Sequence, residues 1–134
     1  MFNTLIVEDN AIFRQALSDL LIEHFPTIRV EEACDGEKAL SCVENACPDI
    51  IFMDIEMPGD NGLELTKKIR EMYKGTVIVI LSGFDYPEYR QQAYRNGADC
   101  FISKGGLYCM ADILARVEGT MTRKILTGKG QSLN

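Results

Sequence analysis

Five short apolar runs alternate along the chain with segments whose apolar residues recur every three or four positions. Short apolar runs predict buried β-strands, and the longer period predicts amphipathic helices. The predicted strands are 4–7, 28–33, 50–53, 76–81 and 100–103. The predicted helices are 11–25, 37–45, 62–73, 87–94 and 108–123. This alternation predicts an α/β fold, a doubly wound parallel sheet with right-handed crossovers and helices on both faces.

The run 50–53 is the centre of this predicted sheet. Its four apolar residues are followed at once by Asp54, and Pro58 and Gly59 end the extended segment. A continuous apolar run is typical of a strand that is buried on both faces, as in the middle of a parallel sheet. Asp54 is therefore expected at the carboxyl edge of a central strand, where open α/β sheets bind their ligands.

Three other predicted strands also end in residues that can do chemistry, namely Glu8 and Asp9, then Ser82, then Lys104. Each has an ordinary explanation as a helix cap or a solvated charge, but all four strand ends meet at one sheet edge. The carboxylates there would repel one another unless a cation intervened, and oxygen ligands suit Mg²⁺. A carboxylate beside Mg²⁺ can attack a phosphoryl group and form an aspartyl phosphate. Lys104 can then neutralise phosphate oxygens and Ser82 can donate a hydrogen bond.

The segments that carry these residues resemble the receiver domains of two-component response regulators, over residues 3 to about 122. The matching segments are VEDN at 7–10, MDIEMPG at 53–59 with NG at 61–62, ILSG at 80–83 and GADCFISK at 97–104. The resemblance implies a flavodoxin-like five-stranded parallel sheet with strand order 2-1-3-4-5. It also implies a phosphoacceptor that assists its own phosphorylation and autodephosphorylation rather than an enzyme.

The resemblance assigns a role to each polar residue at the sheet edge. Asp54 is the implied phosphoacceptor, with Ser82 and Lys104 as contacts of its phosphoryl group. The implied Mg²⁺ ligands are Asp9, Asp54, the backbone carbonyl of Glu56 and, through water, Glu8. Phe101 is the implied aromatic switch residue. On phosphorylation, Ser82 is expected to move toward the phosphoryl oxygens and Phe101 to turn inward. These movements would rearrange the face formed by the fourth helix, the fifth strand and the fifth helix. Five residues near this face are expected either to form an exposed aromatic surface or to be partly buried in the core. They are Tyr86, Tyr89, Tyr94, Tyr108 and Met110.

Gly105 and Gly106 follow the lysine where many receivers have proline. Together with segments 10–15 and 85–89, this resembles the NarL/FixJ (LuxR-type) subfamily. The implied partner is a sensor histidine kinase or a phosphotransfer protein, and phosphorylation-linked homodimerisation is a family-level expectation. NarL-like regulators usually continue into a helix-turn-helix DNA-binding domain. This chain is therefore expected to be either a stand-alone receiver or a fragment without its effector domain.

The 134 residues fit one domain, and we expect a receiver at 1–123 and a polar tail or linker start at 124–134. The net charge of −6 argues against direct binding of nucleic acid by this chain. No apolar run approaches the length of a membrane span, which predicts a cytoplasmic protein without membrane contact. The five cysteines lack a C-x-x-C pair and are expected to be small buried side chains.

Two classes of alternative compete with the phosphoacceptor. The chain could be a binding module, either an FMN carrier of flavodoxin type or a receiver-like scaffold that is not phosphorylated. Glu8 and Asp9 would repel the FMN phosphate, and the scaffold usually lacks part of the residue set present here. The chain could also be an aspartate-nucleophile phosphohydrolase, but in such enzymes the acidic pair follows the lysine, and here it precedes Asp54.

Overall fold

Five parallel strands form the central sheet of the computed structural model, which describes the backbone of residues 1–132 and the side chains of residues 1–127. The strands are β1 (Asn3–Val7), β2 (Arg29–Ala33), β3 (Ile50–Asp54), β4 (Val77–Ser82) and β5 (Cys100–Ser103). Their order across the sheet is β2-β1-β3-β4-β5, and every neighbouring pair is parallel. The predicted strand order 2-1-3-4-5 is therefore confirmed.

Five helices cover both faces of this sheet. They are α1 (Ala11–His24), α2 (Gly36–Ala46), α3 (Gly62–Met72), α4 (Pro87–Arg95) and α5 (Cys109–Ser132). Apolar residues of α1 and α5 pack in a cluster on one face, and those of α2, α3 and α4 pack in a second cluster on the other. All five residues of β3 are buried between these layers, as a central strand in a doubly wound fold should be.

Polar side chains cap α1, α2 and α3 at the loops that follow the strands. Asn10 accepts hydrogen bonds from the N–H groups of the second and third residues of α1. Asp35 caps α2 and Asn61 caps α3 in the same manner, whereas α4 starts at Pro87 without a side-chain cap. These short connections fix the positions of the loops at the carboxyl edge of the sheet.

A small hairpin between β3 and α3 was not predicted. Residues 56–57 pair antiparallel with residues 60–61, and Gly59 in the turn has φ +76°. Asp60 in this hairpin accepts a hydrogen bond from the backbone N–H of Gly36 at 3.1 Å, so the hairpin is tied to the start of α2. Two-residue strands are too short to show a hydrophobic period, which is why the sequence pattern did not reveal them.

The prediction that the last helix ends at Arg123 is wrong, because α5 continues to Ser132. The first turn of this extension is anchored to the sheet: Lys124 Nζ lies 3.0 Å from Asp49 Oδ2 and 2.9 Å from the Met1 carbonyl oxygen. The segment expected to be a polar, frayed tail is thus helical as far as residue 132, and residues 133–134 lie outside the described residues. No helix within residues 1–132 has the length and apolar character that a membrane crossing requires.

The cysteines are less buried than predicted. Cys109, the first residue of α5, is buried in the core, and Cys42 and Cys100 are half-buried. Cys34 and Cys47 are exposed, so the prediction is wrong for them. Cys47 follows α2 with a left-handed φ of 44°, a position at the helix end where the side chain points away from the core.

Candidate functional site

Three carboxylates meet at the carboxyl edge of β1 and β3. Val7 and Met53 are partners in these neighbouring strands, so the acidic residues that follow them are brought side by side. Glu8, Asp9 and Asp54 each place one carboxylate oxygen within 4.8 Å of the others. Glu8 and Asp54 are buried and Asp9 is exposed. The predicted acidic cluster is thus assembled by the topology of the sheet.

Lys104, at the end of β5, reaches across to this cluster. Its Nζ lies 2.5 Å from Glu8 Oε1 and 3.4 Å from Asp54 Oδ1. The ammonium group also lies over the ring of Phe13, at 4.5 Å from the ring centroid. One lysine against three carboxylates leaves an excess of two negative charges when all are ionised, which fits a divalent cation with oxygen ligands.

Burial raises the pKa of Asp54 to about 7, while Lys104 acts against this rise and Glu8 adds to it. The backbone N–H of Glu56 donates to Asp54 Oδ1 at 3.3 Å and favours the ionised form. A carboxylate that is half protonated near neutral pH is a weak nucleophile. An added cation beside it would restore the ionised form, so the donor set and the charge of the site both favour a cation.

A cavity of about 260 Å³ opens in front of Asp54. Its walls include Glu8, Asp9, Asn10, Asp54, Glu56, Gly83, Phe84 and Lys104. The predicted metal ligands and Lys104 therefore face one space with the predicted phosphoacceptor. The side chains of Glu56 and Phe84 line this cavity and are exposed, so they lie at its rim.

Ser82 completes the carboxyl edge from β4, next to the strand that carries Lys104. Its hydroxyl is buried and bonds the backbone of the following loop, lying 3.0 Å from both the N and the O of Phe84. The backbone N–H of Lys104 donates to the Ser82 carbonyl oxygen at 2.8 Å. In this structure the hydroxyl is engaged with the loop after β4 rather than with Asp54.

The ring of Phe101 points inward and is buried. It is 5% exposed, and the guanidinium carbon of Arg90 lies 4.7 Å from its ring centroid. The movement of this ring that phosphorylation is expected to cause stays a prediction, and the structure describes one position of the ring, which is buried. Of the residues considered for an aromatic surface nearby, the exposed ones are Tyr86, Tyr94, Tyr108 and Met110, whereas Tyr89 is half-buried.

Sequence reasoning missed Arg14. Its Nη1 donates to the Glu8 carbonyl oxygen at 2.6 Å, and its Nε lies 3.0 Å from Glu32 Oε1. Arg14 therefore fixes the backbone from which Glu8 and Asp9 project. The sequence signal for this role is the position of Arg14, four residues after the capping residue Asn10. At this spacing the two residues lie on the same face of α1, so the Arg14 side chain can reach the start of the helix.

Comparison with known proteins identifies the family. The family model described as the response regulator receiver domain matches residues 4–118. Over 100 residues the chain is 38% identical to the oxygen regulatory protein NreC of Staphylococcus carnosus, covering 74% of this chain and 46% of that protein. It is 32% identical over 99 residues to the transcriptional regulatory protein DegU of Brevibacillus brevis, covering 74% and 42%.

A solved structure agrees with these relatives. The DNA-binding response regulator of the LuxR family from Staphylococcus aureus superposes with a TM-score of 0.80 at 26% identity, covering 90% of this chain and 98% of that one. The chain spans less than half the length of the two curated relatives. It belongs to the receiver domain family of two-component response regulators and is similar to the receivers of the NarL/FixJ (LuxR-type) subfamily.

Proposed function

We propose that this chain accepts a phosphoryl group on Asp54 from a sensor histidine kinase or a phosphotransfer protein. The observation that carries the proposal is the buried Asp54 carboxylate, held at a strand end beside Glu8, Asp9 and Lys104 and open to a cavity. Membership of the receiver family supports the same reaction, because receivers are signalling phosphoacceptors. The proposed setting is the cytoplasm, where such kinases present their phosphohistidine.

The acidic cluster is the proposed Mg²⁺ site. Asp9, Asp54 and the backbone carbonyl of Glu56 would hold the ion directly, and Glu8 would do so through water. When bound, Mg²⁺ would neutralise charge on the phosphoryl oxygens. The cluster fits the ion because its excess negative charge faces an open cavity, and because Glu8 and Asp54 are too buried to be screened well by solvent.

The residues of the chain have distinct parts in the proposed transfer. A carboxylate oxygen of Asp54 forms a bond to phosphorus as the bond between phosphorus and the donor's histidine nitrogen breaks, and that nitrogen keeps the electron pair. Lys104, which already lies 3.4 Å from Asp54, neutralises a phosphoryl oxygen. Ser82 exchanges its bond with Phe84 for one to another phosphoryl oxygen, which frees the backbone of the loop after β4.

The lifetime of the phosphoryl group is proposed to depend on the rim of the cavity. Hydrolysis needs a water molecule in line with the bond between Asp54 and phosphorus. The exposed side chains of Glu56 and Phe84 are the ones placed to admit or exclude that water. Autodephosphorylation is thus a property of the same site, and no second catalytic centre is needed.

The output is proposed to pass through the face formed by α4, β5 and α5. Phosphorylation at Asp54 would change the loop after β4, which leads directly into α4, and this face would then control a partner or an effector domain. NreC and DegU are named as an oxygen regulatory and a transcriptional regulatory protein, and both are more than twice as long as the matched region. A DNA-binding effector of LuxR type, in the same chain or in a partner, is the output that these relatives favour.

Intact mass after incubation with acetyl phosphate, with and without Mg²⁺, tests the proposal. We expect one phosphoryl adduct on the wild type in the presence of Mg²⁺ and none on Asp54→Asn. Asp19→Asn is the matched control, because it removes an exposed carboxylate on α1 and should leave the adduct intact. No adduct under any condition would overturn the proposal in favour of an unphosphorylated scaffold, and rapid turnover of small phosphate esters would favour a phosphohydrolase.

A further inference from the structure

Arg90 joins the loop after β4 to the buried ring of β5. Its guanidinium group forms two bonds with one carboxylate, Nε to Asp85 Oδ1 at 2.6 Å and Nη2 to Asp85 Oδ2 at 3.0 Å. The same group lies over Phe101, 4.7 Å from the ring centroid. A planar guanidinium can pair with a carboxylate along its edge while its face stacks on an aromatic ring, and a lysine ammonium cannot do both.

The carboxylate of Asp85 sets the orientation of this group. An ion pair at the surface contributes little stability by itself, and the side chains of both partners are about two-fifths exposed. Two simultaneous bonds do, however, fix the guanidinium plane, which a single bond would leave free to rotate. Arg95, on the same helix, forms no ion pair within residues 1–127 and serves as an internal comparison.

The contact of Arg90 with Phe101 is connected to the carboxyl edge of the sheet, the proposed phosphorylation edge, through a continuous series of neighbouring residues. The buried Ser82 hydroxyl bonds the backbone N and O of Phe84. Phe84 is followed directly by Asp85, Asp85 holds Arg90, and Arg90 covers Phe101. The loop that the Ser82 hydroxyl bonds therefore also carries the anchor of the residue that covers the ring.

We propose that Arg90, oriented by Asp85, is a positioning residue that holds Phe101 inward. It thereby favours the arrangement of the face formed by α4, β5 and α5 that accompanies an inward ring. The inference rests on the proposed function and deepens it, because it names the side chains that link the phosphorylation edge to that face. An inward ring is the arrangement that the resemblance to receivers assigns to the phosphorylated state. Since coupling between two sites is reciprocal, a contact that favours this arrangement also favours binding of the phosphoryl group.

The contact itself is tested by NMR on the full chain. We expect the Arg90 side-chain Nε–Hε and δ-proton signals to be shifted by the ring current of Phe101. The shift should be lost in Phe101→Leu and reduced in Asp85→Asn, while the Arg95 signals stay unchanged in both variants. An Arg90 signal that is unaffected by Phe101→Leu would overturn the proposal.

The coupling is tested by the affinity of the phosphoryl mimic beryllofluoride in the presence of Mg²⁺. We expect Arg90→Gln to bind it at least about threefold more weakly than the wild type, and Arg95→Gln to bind like the wild type. Arg90→Lys should restore part of the loss, because it keeps a cation over the ring but lacks the second bond to Asp85. Unchanged or tighter binding by Arg90→Gln would overturn the inference, whereas failure of the wild type to bind would overturn the proposed function instead.

Discussion

Gly62 lies directly against the backbone of Asp54. A Cβ atom built on Gly62 would lie 2.1 Å from the Asp54 carbonyl oxygen and 2.8 Å from the Cα of Ile55. The same contact brings the Gly62 N–H within 2.9 Å of the Ile55 carbonyl oxygen, which closes the hairpin between β3 and α3. The end of β3 thus approaches the start of α3 more closely than any residue with a side chain at position 62 permits.

Substitution of Gly62 should therefore damage the fold and the site together. We expect Gly62→Ala to lower the free energy of unfolding by about 3 kcal/mol or more, because the clash is with backbone atoms that cannot change rotamer. Gly75→Ala is the control, since a Cβ there would meet no atom of the described residues within 4 Å. Urea unfolding measures both, and equal stability of the two variants would contradict the close contact.

The stability of the metal-free protein should fall as the pH rises through the titration of Asp54. Burial raises the pKa of this carboxyl from 3.8 to about 7, so between these values the unfolded chain is ionised while the folded one keeps the proton. The contribution of the protonated Asp54 carboxyl to the free energy of unfolding is fully present below about pH 4 and is lost by about pH 8. At about pH 8 in EDTA, Asp54→Asn should be more stable than the wild type by on the order of 2–4 kcal/mol.

Urea unfolding at about pH 4.5 and pH 8 separates this effect from a general change in packing. The difference between wild type and Asp54→Asn should fall to about 1 kcal/mol at the lower pH, where the carboxyl is protonated in the folded chain but still largely ionised in the unfolded one. Asp19→Asn, at an exposed position on α1, should show no such pH-dependent difference. A constant difference between wild type and Asp54→Asn at both pH values would rule out titration of Asp54 as its cause.

Binding of Mg²⁺ should stabilise the wild type through the acidic cluster. An ion present at about 100 times its dissociation constant adds about 2.7 kcal/mol to the free energy of unfolding. Asp9→Asn should remove most of this gain and leave the metal-free stability nearly unchanged, because Asp9 is exposed. Thermal unfolding during a MgCl₂ titration measures the effect, with Glu23→Gln on α1 as the control. An equal gain in Asp9→Asn and wild type would place the ion elsewhere.

The acidic cluster could be predicted from sequence because it follows from strand topology alone. Once β1 and β3 are recognised as parallel neighbours, Glu8 and Asp54 must emerge at the same edge, and no side-chain detail is needed. Lys104 follows in the same way from the end of β5. The capping of α1 by Asn10 needs only a local residue type that favours this position.

Long-range side-chain partners could not be predicted in this way. The contact of Lys124 with Asp49 joins residues 75 positions apart, and it depends on how far α5 extends past the sheet. The contact of Arg90 with Phe101 likewise depends on how α4 packs against β5, and on the bond that Asp85 forms with the guanidinium group. The pattern of apolar residues carries no information about either.

Arg70 should be a stability residue that is separate from the phosphorylation chemistry. Its guanidinium donates to the carbonyl oxygens of Tyr73, Lys74 and Gly97 at 2.9–3.2 Å, and Nη2 lies 2.7 Å from Asp99. We expect Arg70→Ala to cost about 2–3 kcal/mol, because these acceptors lose a charged donor. Arg29→Ala, which removes an exposed arginine 3.8 Å from Glu31, should cost less than 1 kcal/mol. Phosphorylation by acetyl phosphate should be unchanged in both; loss of phosphorylation in folded Arg70→Ala would contradict this separation.

The extension of α5 should depend on Lys124. Its ammonium group bonds Asp49 and the Met1 carbonyl oxygen, whereas the next two residues, Ile125 and Leu126, are exposed and add no packing against the core. We expect Lys124→Ala to speed amide hydrogen exchange in residues 124–127 by about tenfold, because local opening then breaks only helical bonds. Exchange in β3 and β4 should stay unchanged. Lys67→Ala, an exposed change on α3, is the control. If Lys124→Ala left exchange in 124–127 as slow as in the wild type, intrinsic helix stability rather than this anchor would hold the extension.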